Sequence, residues 1–598
     1  MTELAVNRYD KDEELNIRVD FSYFSMLKKY VLPYIKTIVL VLFSMFLTAF
    51  LELLPPYFIS IVLDKCLPES NYKLIIILGC ALIVSYVIVM INQKWRSKKT
   101  NSMAMNIIKE IRSDLFRHMQ HLPFSFFDSR PHGKILVRIV NYVNTISNLL
   151  ANGIFDMLTN IFKMFVIVGF MLYMDVNFTL VCLAGLPIFA AILLIIKTKH
   201  RKAWQRYSSK HSNLNAYIQE SISGMKITQS FAREEENAKI FDSLCGETKK
   251  YWIRSTAIGA LTGRFVNTID HVTRALVFLI GVSRIQSGAI EVGMLIAFSS
   301  YVARFWEPVT VLTNYYNEII NCGAYIERIF QMMDEPLIIE NLPDSKDLPQ
   351  LSGNVSFNNV TFAYEENSPN ILENVSFDIK SGESIALVGP TGAGKSTVIN
   401  LLSRFYDLND GSITIDGHDI KHATLKSLRS QMGIMLQDSF LFSGTIKDNI
   451  RYSKLDATDE EVIEAAKAVC AHDFIKDFPD GYDTVVTEGG SSLSAGQKQL
   501  IAFARALLSD PAILILDEAT SSIDTETEIM LQKGLEKLLE GRTSFIIAHR
   551  LSTIKNSSKI MYIANKGIAE CGTHEELLDK KGKYYELYMA QYKFLEKL

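Results

Sequence analysis

Apolar positions are distributed very differently in the two halves of this 598-residue chain. Residues 74–91 (LIIILGCALIVSYVIVMI) run eighteen positions without a charge, and residues 178–196 (FTLVCLAGLPIFAAILLII) run nineteen. About 20 apolar residues cross a bilayer as a helix, because a backbone in lipid must satisfy its own hydrogen bonds. A buried core helix rarely runs this long without a charge, so both stretches predict membrane spans. Four less pure spans are predicted near 37–63 (broken by Pro55-Pro56), 151–174, 256–283 and 289–320. Ahead of the first, FSYFSMLKKYVLPY is short and amphipathic, which suits a helix lying in the interface.

The connections between these spans are unequal. Residues 64–73, 175–177 and 284–288 make short ones, whereas 92–150 and 197–255 are each close to sixty residues long. The long ones open with QKWRSKK and KTKHRKAWQR beside a membrane exit, and Lys and Arg there mark the cytoplasmic side. Both long loops, the N-terminus and the C-terminal half are therefore expected in the cytosol, with the six spans in the plasma membrane. The long loops read as helical, and at about 1.5 Å per residue they carry their turns well below the bilayer.

Several spans hold residues that lipid tolerates poorly. In the fifth, Arg264, Asn267, His271 and Arg274 share one helical face, with Asp270 beside them. The sixth carries Arg304, Glu307, Asn314 and Glu318, and the first and third contribute Glu52 and Asp156. Such groups face a bundle interior or an aqueous cavity. As a set they predict a wet substrate pathway, although structural pairing between helices reads the same in sequence.

After EPLIIENLPDSKDLPQLSG the pattern changes to short apolar runs alternating with helical stretches, as in an α/β domain. The predicted organisation is an all-α six-helix transmembrane domain at 1–335, a linker at 336–353, and an α/β P-loop domain at 354–598. Residues 384–388 (SIALV) form a buried-strand candidate leading into Gly389, Pro390, Thr391, Gly392, Ala393, Gly394, Lys395, Ser396 and Thr397. This is the GxxxxGK[ST] phosphate loop in the context it requires, strand then glycine-rich turn then helix. Lys395 is placed to reach the β and γ phosphates of ATP, and the Ser396 hydroxyl to ligate Mg²⁺. A second strand, ILIL at 513–516, delivers Asp517 and Glu518 to its tip. There Asp517 suits the metal and Glu518 suits a general base for the attacking water.

Composition adds exclusions. A net charge of -3 gives no reason to expect nucleic acid as a partner. The seven cysteines include no CxxC pair, which speaks against a disulfide framework or cysteine metal site. MTELAVNRYDKDEEL is too polar for a cleavable signal peptide.

Between the phosphate loop and the Asp-Glu pair lies LSAGQ (493–497) followed by KQLIAFARALLSDP, which resembles the signature motif and helix of ABC ATPases. The resemblance implies roles for further residues. Ser494, Gly496 and Gln497 would meet the nucleotide. Tyr364 resembles the aromatic residue that stacks on adenine, and Gln437 the Q-loop glutamine that contacts Mg²⁺. Ser521 to Asp524 resemble the D-loop, and His549 the switch histidine near the γ phosphate. The membrane half is similar to the exporters of this family, with 126–141 and 214–234 as coupling turns. It implies ATP-driven export by a dimer of an amphipathic compound such as a drug, lipid or peptide. Each ATP would lie between the phosphate loop of one subunit and the signature of the other. Ala495 departs from the usual Gly, and a Cβ there is costly only at positive φ. Its wording is similar to one subunit of bacterial heterodimers, so a heterodimer is expected ahead of a homodimer. An ATP-gated channel and an importer remain alternatives. With no peptidase domain ahead of the first span, a self-processing bacteriocin exporter is not expected.

Overall fold

The computed structural model describes residues 21–592 except 129–131, 338, 365–367, 436–438, 491, 518–524 and 548–553. It divides into two compact units, one of Met1–Gln120 with Pro131–Glu335 and one of His121–Arg130 with Pro336–Leu598.

The first unit is helical. Its main helices are Ile35–Glu52, Leu54–Ile61, Tyr72–His121, Ile154–Met174, Val176–Leu183, Gly185–Ser223, Glu234–Gln286 and Val292–Met333. Among the described residues, four stretches are long and apolar enough to cross a membrane: Lys28–Cys66, Tyr72–His121, Ile135–Met174 and Glu234–Gln286. The expected fourth span is split near Ala184 into two helices, and the second carries its charges from Lys197 onward. The expected sixth lies in Val292–Met333, where Arg304 and Glu307 interrupt the apolar run. The predicted interfacial helix is instead three short turns, Phe21–Ser25, Lys28–Val31 and Leu32–Tyr34. Pro33 lacks the N–H that a longer helix would need.

Proline chemistry also explains the break in the first span. Pro56 has no N–H to offer the Glu52 carbonyl, four residues back. That carbonyl instead accepts from the Arg304 guanidinium at 2.9 Å, and the neighbouring Leu53 carbonyl accepts from the Tyr301 hydroxyl at 2.8 Å. The Glu52 carboxylate pairs with Lys163 at 2.7 Å and accepts from Gln93 at 3.1 Å. Asp270 pairs with Arg274 one turn along its own helix, and Asp156 accepts from Tyr315 at 3.1 Å. Much of the predicted polar set thus makes helix-to-helix or intrahelical bonds within the unit.

The second unit contains strands β1 (Val355–Phe362), β2 (Leu372–Ile379), β3 (Ser384–Val388), β4 (Asp410–Ile415), β5 (His418–Asp419), β6 (Met432–Met435), β7 (Gly444–Thr445), β8 (Val485–Val486), β9 (Ile513–Asp517), β10 (Thr543–Ile547), β11 (Lys559–Ala564) and β12 (Gly567–Gly572). One sheet has the order β12-β11-β3-β10-β9-β6, with the five strands from β11 to β6 mutually parallel. Its central strands are apolar and buried almost throughout, as a sheet covered on both faces requires. The second sheet, β2-β1-β4-β5, is antiparallel. This architecture sends the C-terminal ends of β3, β10, β9 and β6 to one edge, where open α/β sheets bind ligands.

Candidate ATP site

The phosphate loop leaves β3 at Gly389, whose φ is +144°. A Cβ there would come within 2.3 Å of the Ile563 carbonyl oxygen on neighbouring β11, so the position admits only glycine. Gly392 turns the loop at φ +80°, and Gly394 at φ +104° caps the helix Lys395–Leu402. Pro390, Thr391 and Ala393 complete the loop between them, with Pro390 and Thr391 exposed. The unpaired N–H groups of the helix start make an anion site. Lys395 Nζ donates to the carbonyls of Gly389 and Pro390, both at 2.9 Å, which curls the loop around the ammonium. Burial pulls the Lys395 pKa below its usual value, opposed by the nearby Asp517 carboxylate. Ser396 is exposed at the first turn, whereas Thr397 is buried.

Asp517 ends β9 directly opposite Ile547 of β10, and Met435 ends β6 opposite Leu516. The predicted Gln437, Glu518 and His549 follow these three strand ends in sequence and lie outside the described residues, as does the D-loop, 521–524. Asp517 and Lys395 are close enough to interact electrostatically. Among the described residues no group of three or more His, Cys, Asp or Glu side chains can hold a metal. A magnesium ion needs no such cluster, since it binds through one or two protein oxygens together with phosphates and waters.

Tyr364 follows β1 and is 42% exposed. Its hydroxyl shares a 3.0 Å hydrogen bond with Thr397, and its ring sits edge-on to Phe362 at 4.9 Å and Tyr406 at 5.0 Å. Tyr364 is thereby tied to the helix of the phosphate loop.

The signature segment has a simple local cause. Ser494 is the N-cap of Ala495–Leu508: its hydroxyl accepts from Gln497 N–H at 3.2 Å, while Gln497 Oε1 accepts from Ser494 N–H at 2.9 Å. This is a capping box, so the Ser and Gln of LSAGQ define the helix start. Ala495 is the first helical residue and does not have positive φ, and Gly496 behind it is buried. The departure from Gly therefore carries no backbone strain.

Sequence reasoning missed a run of three residues after the phosphate-loop helix. Arg404, 2% exposed, donates to the carbonyls of Glu340, Ile420 and Ala423 and pairs with Asp407. Phe405 stacks on Phe124 at 4.8 Å, and Tyr406 donates to Asp128 at 3.1 Å. These residues join the linker, the nucleotide unit and the 121–130 segment that belongs to it. In sequence the signal is only an arginine followed by two aromatics, since its burial is visible in the structure alone. Arg505 on the signature helix was likewise missed. It donates to the Asn449 carbonyl, the Asn449 side chain and the Phe440 carbonyl, pinning 440–449 to that helix.

Comparison with known proteins matches residues 38–309 to the ABC transporter transmembrane region and residues 372–521 to the ABC transporter family. The uncharacterized ABC transporter ATP-binding protein YknV of Bacillus subtilis is 40% identical, covering 98% of this chain and 97% of YknV. An ATP-dependent lipid A-core flippase of Syntrophus aciditrophicus is 33% identical over 97% of this chain and 96% of its own. A putative multidrug export protein of Bacillus subtilis, YgaD, is 38% identical over 82% of this chain and 84% of its own. Among solved structures, a bacterial Atm1-family ABC exporter with ATP bound superposes with a TM-score of 0.76 at 27% identity, covering 95% of this chain and 99% of that one.

Proposed function

The chain belongs to the ABC transporter family as an ATP-driven exporter subunit, and from that premise we propose that it moves an amphipathic compound outward by alternating access. The observation that carries this reading is the phosphate loop at Gly389–Lys395, electrostatically coupled to Asp517, in one chain with helices long enough to cross a membrane. Relatives named for multidrug export and for lipid A-core flipping support an amphipathic cargo.

In this reading residues 1–335 are the membrane domain, 336–353 the linker and 354–598 the ATPase domain, with both termini cytosolic. Two copies, or this chain and a homologous partner, close on ATP, with the heterodimer favoured by the LSAGQ wording. Lys395 and the loop N–H groups hold the β and γ phosphates, and Tyr364 faces adenine. From the other subunit, Ser494, Gly496 and Gln497 complete the site. Ser396, Asp517 and Gln437 would hold Mg²⁺, which supplies charge neutralisation at the phosphates. Glu518 takes the proton of the attacking water, and His549 contacts the γ phosphate. Closure must favour the ATP-bound state over the open one if it is to move the membrane helices.

ATP hydrolysis by the purified chain in lipid nanodiscs, with Glu518→Gln as control, tests this reading. Turnover abolished by the substitution identifies a working homodimer, against the heterodimer preference. ATP binding without turnover, restored when a co-purifying homologue is added, supports the heterodimer. Turnover that survives Glu518→Gln would refute the assignment of the base.

A further inference from the structure

In the predicted topology the short connections 64–73, 175–177 and 284–288 share the side opposite the long cytosolic loops. The structure ties the helix ends there unequally. Asp175 caps Val176–Leu183 through the Phe178 N–H at 2.9 Å and pairs with Arg284 at 2.8 Å. The Arg284 guanidinium lies 5.3 Å from the centre of the Phe178 ring, which packs on Phe298 at 5.2 Å. Met171, Phe178, Val277, Ile290 and Leu295 are buried in one apolar cluster. On this side the third to sixth predicted spans therefore form one block.

The end of the first span is fastened to that block differently. Its last turn, Val62–Cys66, is a π turn closed by the Leu67 N–H on the Val62 carbonyl at 3.0 Å. Such turns concentrate at functional sites. This one carries Asp64, whose carboxylate accepts from the N–H of Gly293, 229 positions along the chain, at 2.5 Å. Gly293 is the second residue of Val292–Met333, and Glu291 before it supplies no side-chain cap among the described residues. A helix start leaves its first N–H groups without partners and favours a negative charge. Asp64 thus caps the sixth-span helix from the tip of the first. Further down, the Glu52 carbonyl freed by the proline break is held by Arg304. Residues 54–66 therefore form a short arm, kinked at its base by Pro55-Pro56 and fastened at its tip. We propose that the bond from Gly293 to Asp64 is a latch on the outer mouth of the bundle. It holds the arm shut in this structure, and outward opening breaks it, a role that rests on the alternating-access reading.

Cys66 lies in the same turn and is 0% exposed, so its thiol reports whether the arm is shut. The test is labelling of the full chain, with any co-purifying homologue, in nanodiscs by a water-soluble maleimide, mapped by peptide mass spectrometry. The first comparison is made without nucleotide. Asp64→Ala removes the acceptor. Gly293→Ala sets a Cβ 2.7 Å from the Asp64 carboxylate oxygen, a flexible end that can move aside while the helix stays. Each should raise the Cys66 labelling rate at least threefold, and Asp64→Asn, which keeps an acceptor oxygen, should raise it less. Cys322, buried in the sixth-span helix, should keep its wild-type rate. Equal Cys66 rates in wild type, Asp64→Ala and Gly293→Ala overturn the latch. Cys322 labelling that rises together with Cys66 also overturns it, because the variants then loosen the whole bundle. ATP added to Glu518→Gln should raise Cys66 labelling as the latch variants do. Cys66 labelling unmoved by ATP in a chain that transports would overturn the latch as a part of opening. A difference without nucleotide in a chain that shows no ATP-driven transport supports the closed contact and strikes the export reading instead.

Discussion

Ala495 begins its helix with ordinary backbone, so its methyl group replaces a hydrogen at no conformational cost. Ala495→Gly should therefore change the ATPase rate less than twofold. Ser494→Ala should lower the rate more and cost about 1 kcal/mol of stability by removing the helix cap, read by thermal unfolding. A sharper contrast lies in the phosphate loop. Gly389→Ala places a Cβ against the Ile563 carbonyl and should cost on the order of 1–3 kcal/mol and weaken ATP binding. Gly392→Ala meets open space within 4 Å and should cost less, its strain coming from φ +80° alone. The spacing of GPTGAGKST made these residues legible in the sequence. Whether Ala495 matters was not legible, because the answer depends on a backbone angle that the letters do not carry.

At the scale of elements, the sequence located two central strands, 384–388 and 513–516, because buried parallel strands read as short apolar runs bounded by turns. It did not show what ties the strands to the linker. Asp416 does so, accepting from the N–H groups of Ser352 at 2.6 Å, Gly353 at 3.2 Å and Asn354 at 2.9 Å. Burial disfavours its charge, but these bonds prevail and hold its pKa below the ordinary carboxylate value. A depressed folded-state pKa means stabilisation present above the unfolded value, about 3.9, and lost as pH falls through the lower folded value. Asp416→Asn should lower the melting temperature at neutral pH, with the gap to wild type closing in acid. Tyr406→Phe should keep the edge-on contact with Tyr364 but lose the bond to Asp128. ATP affinity should then stay within twofold while stimulation of hydrolysis by transported compounds falls. Equal losses in affinity and stimulation would instead mean that Tyr406 acts only through local packing. Neither tie is periodic, and each joins residues more than sixty positions apart, so no window along the chain could display it.

For the whole molecule, the long charge-free runs announced a membrane protein and the ordered motifs announced an ATPase. The polar residues of the spans were less informative, since Glu52 and Arg304 are engaged in repairing and bracing a proline break. A pathway and a structural brace need the same residue types. The central claim is that binding and hydrolysis of ATP drive uphill movement of an amphipathic compound. Its most direct test uses inside-out vesicles from cells expressing the chain with whatever homologue co-purifies with it, with ATP and a fluorescent phospholipid or cationic dye supplied to the outer medium. The account predicts accumulation against the gradient that disappears with Glu518→Gln and with Lys395→Ala. Flux that only runs down the gradient, or accumulation equal in wild type and Glu518→Gln, would contradict it.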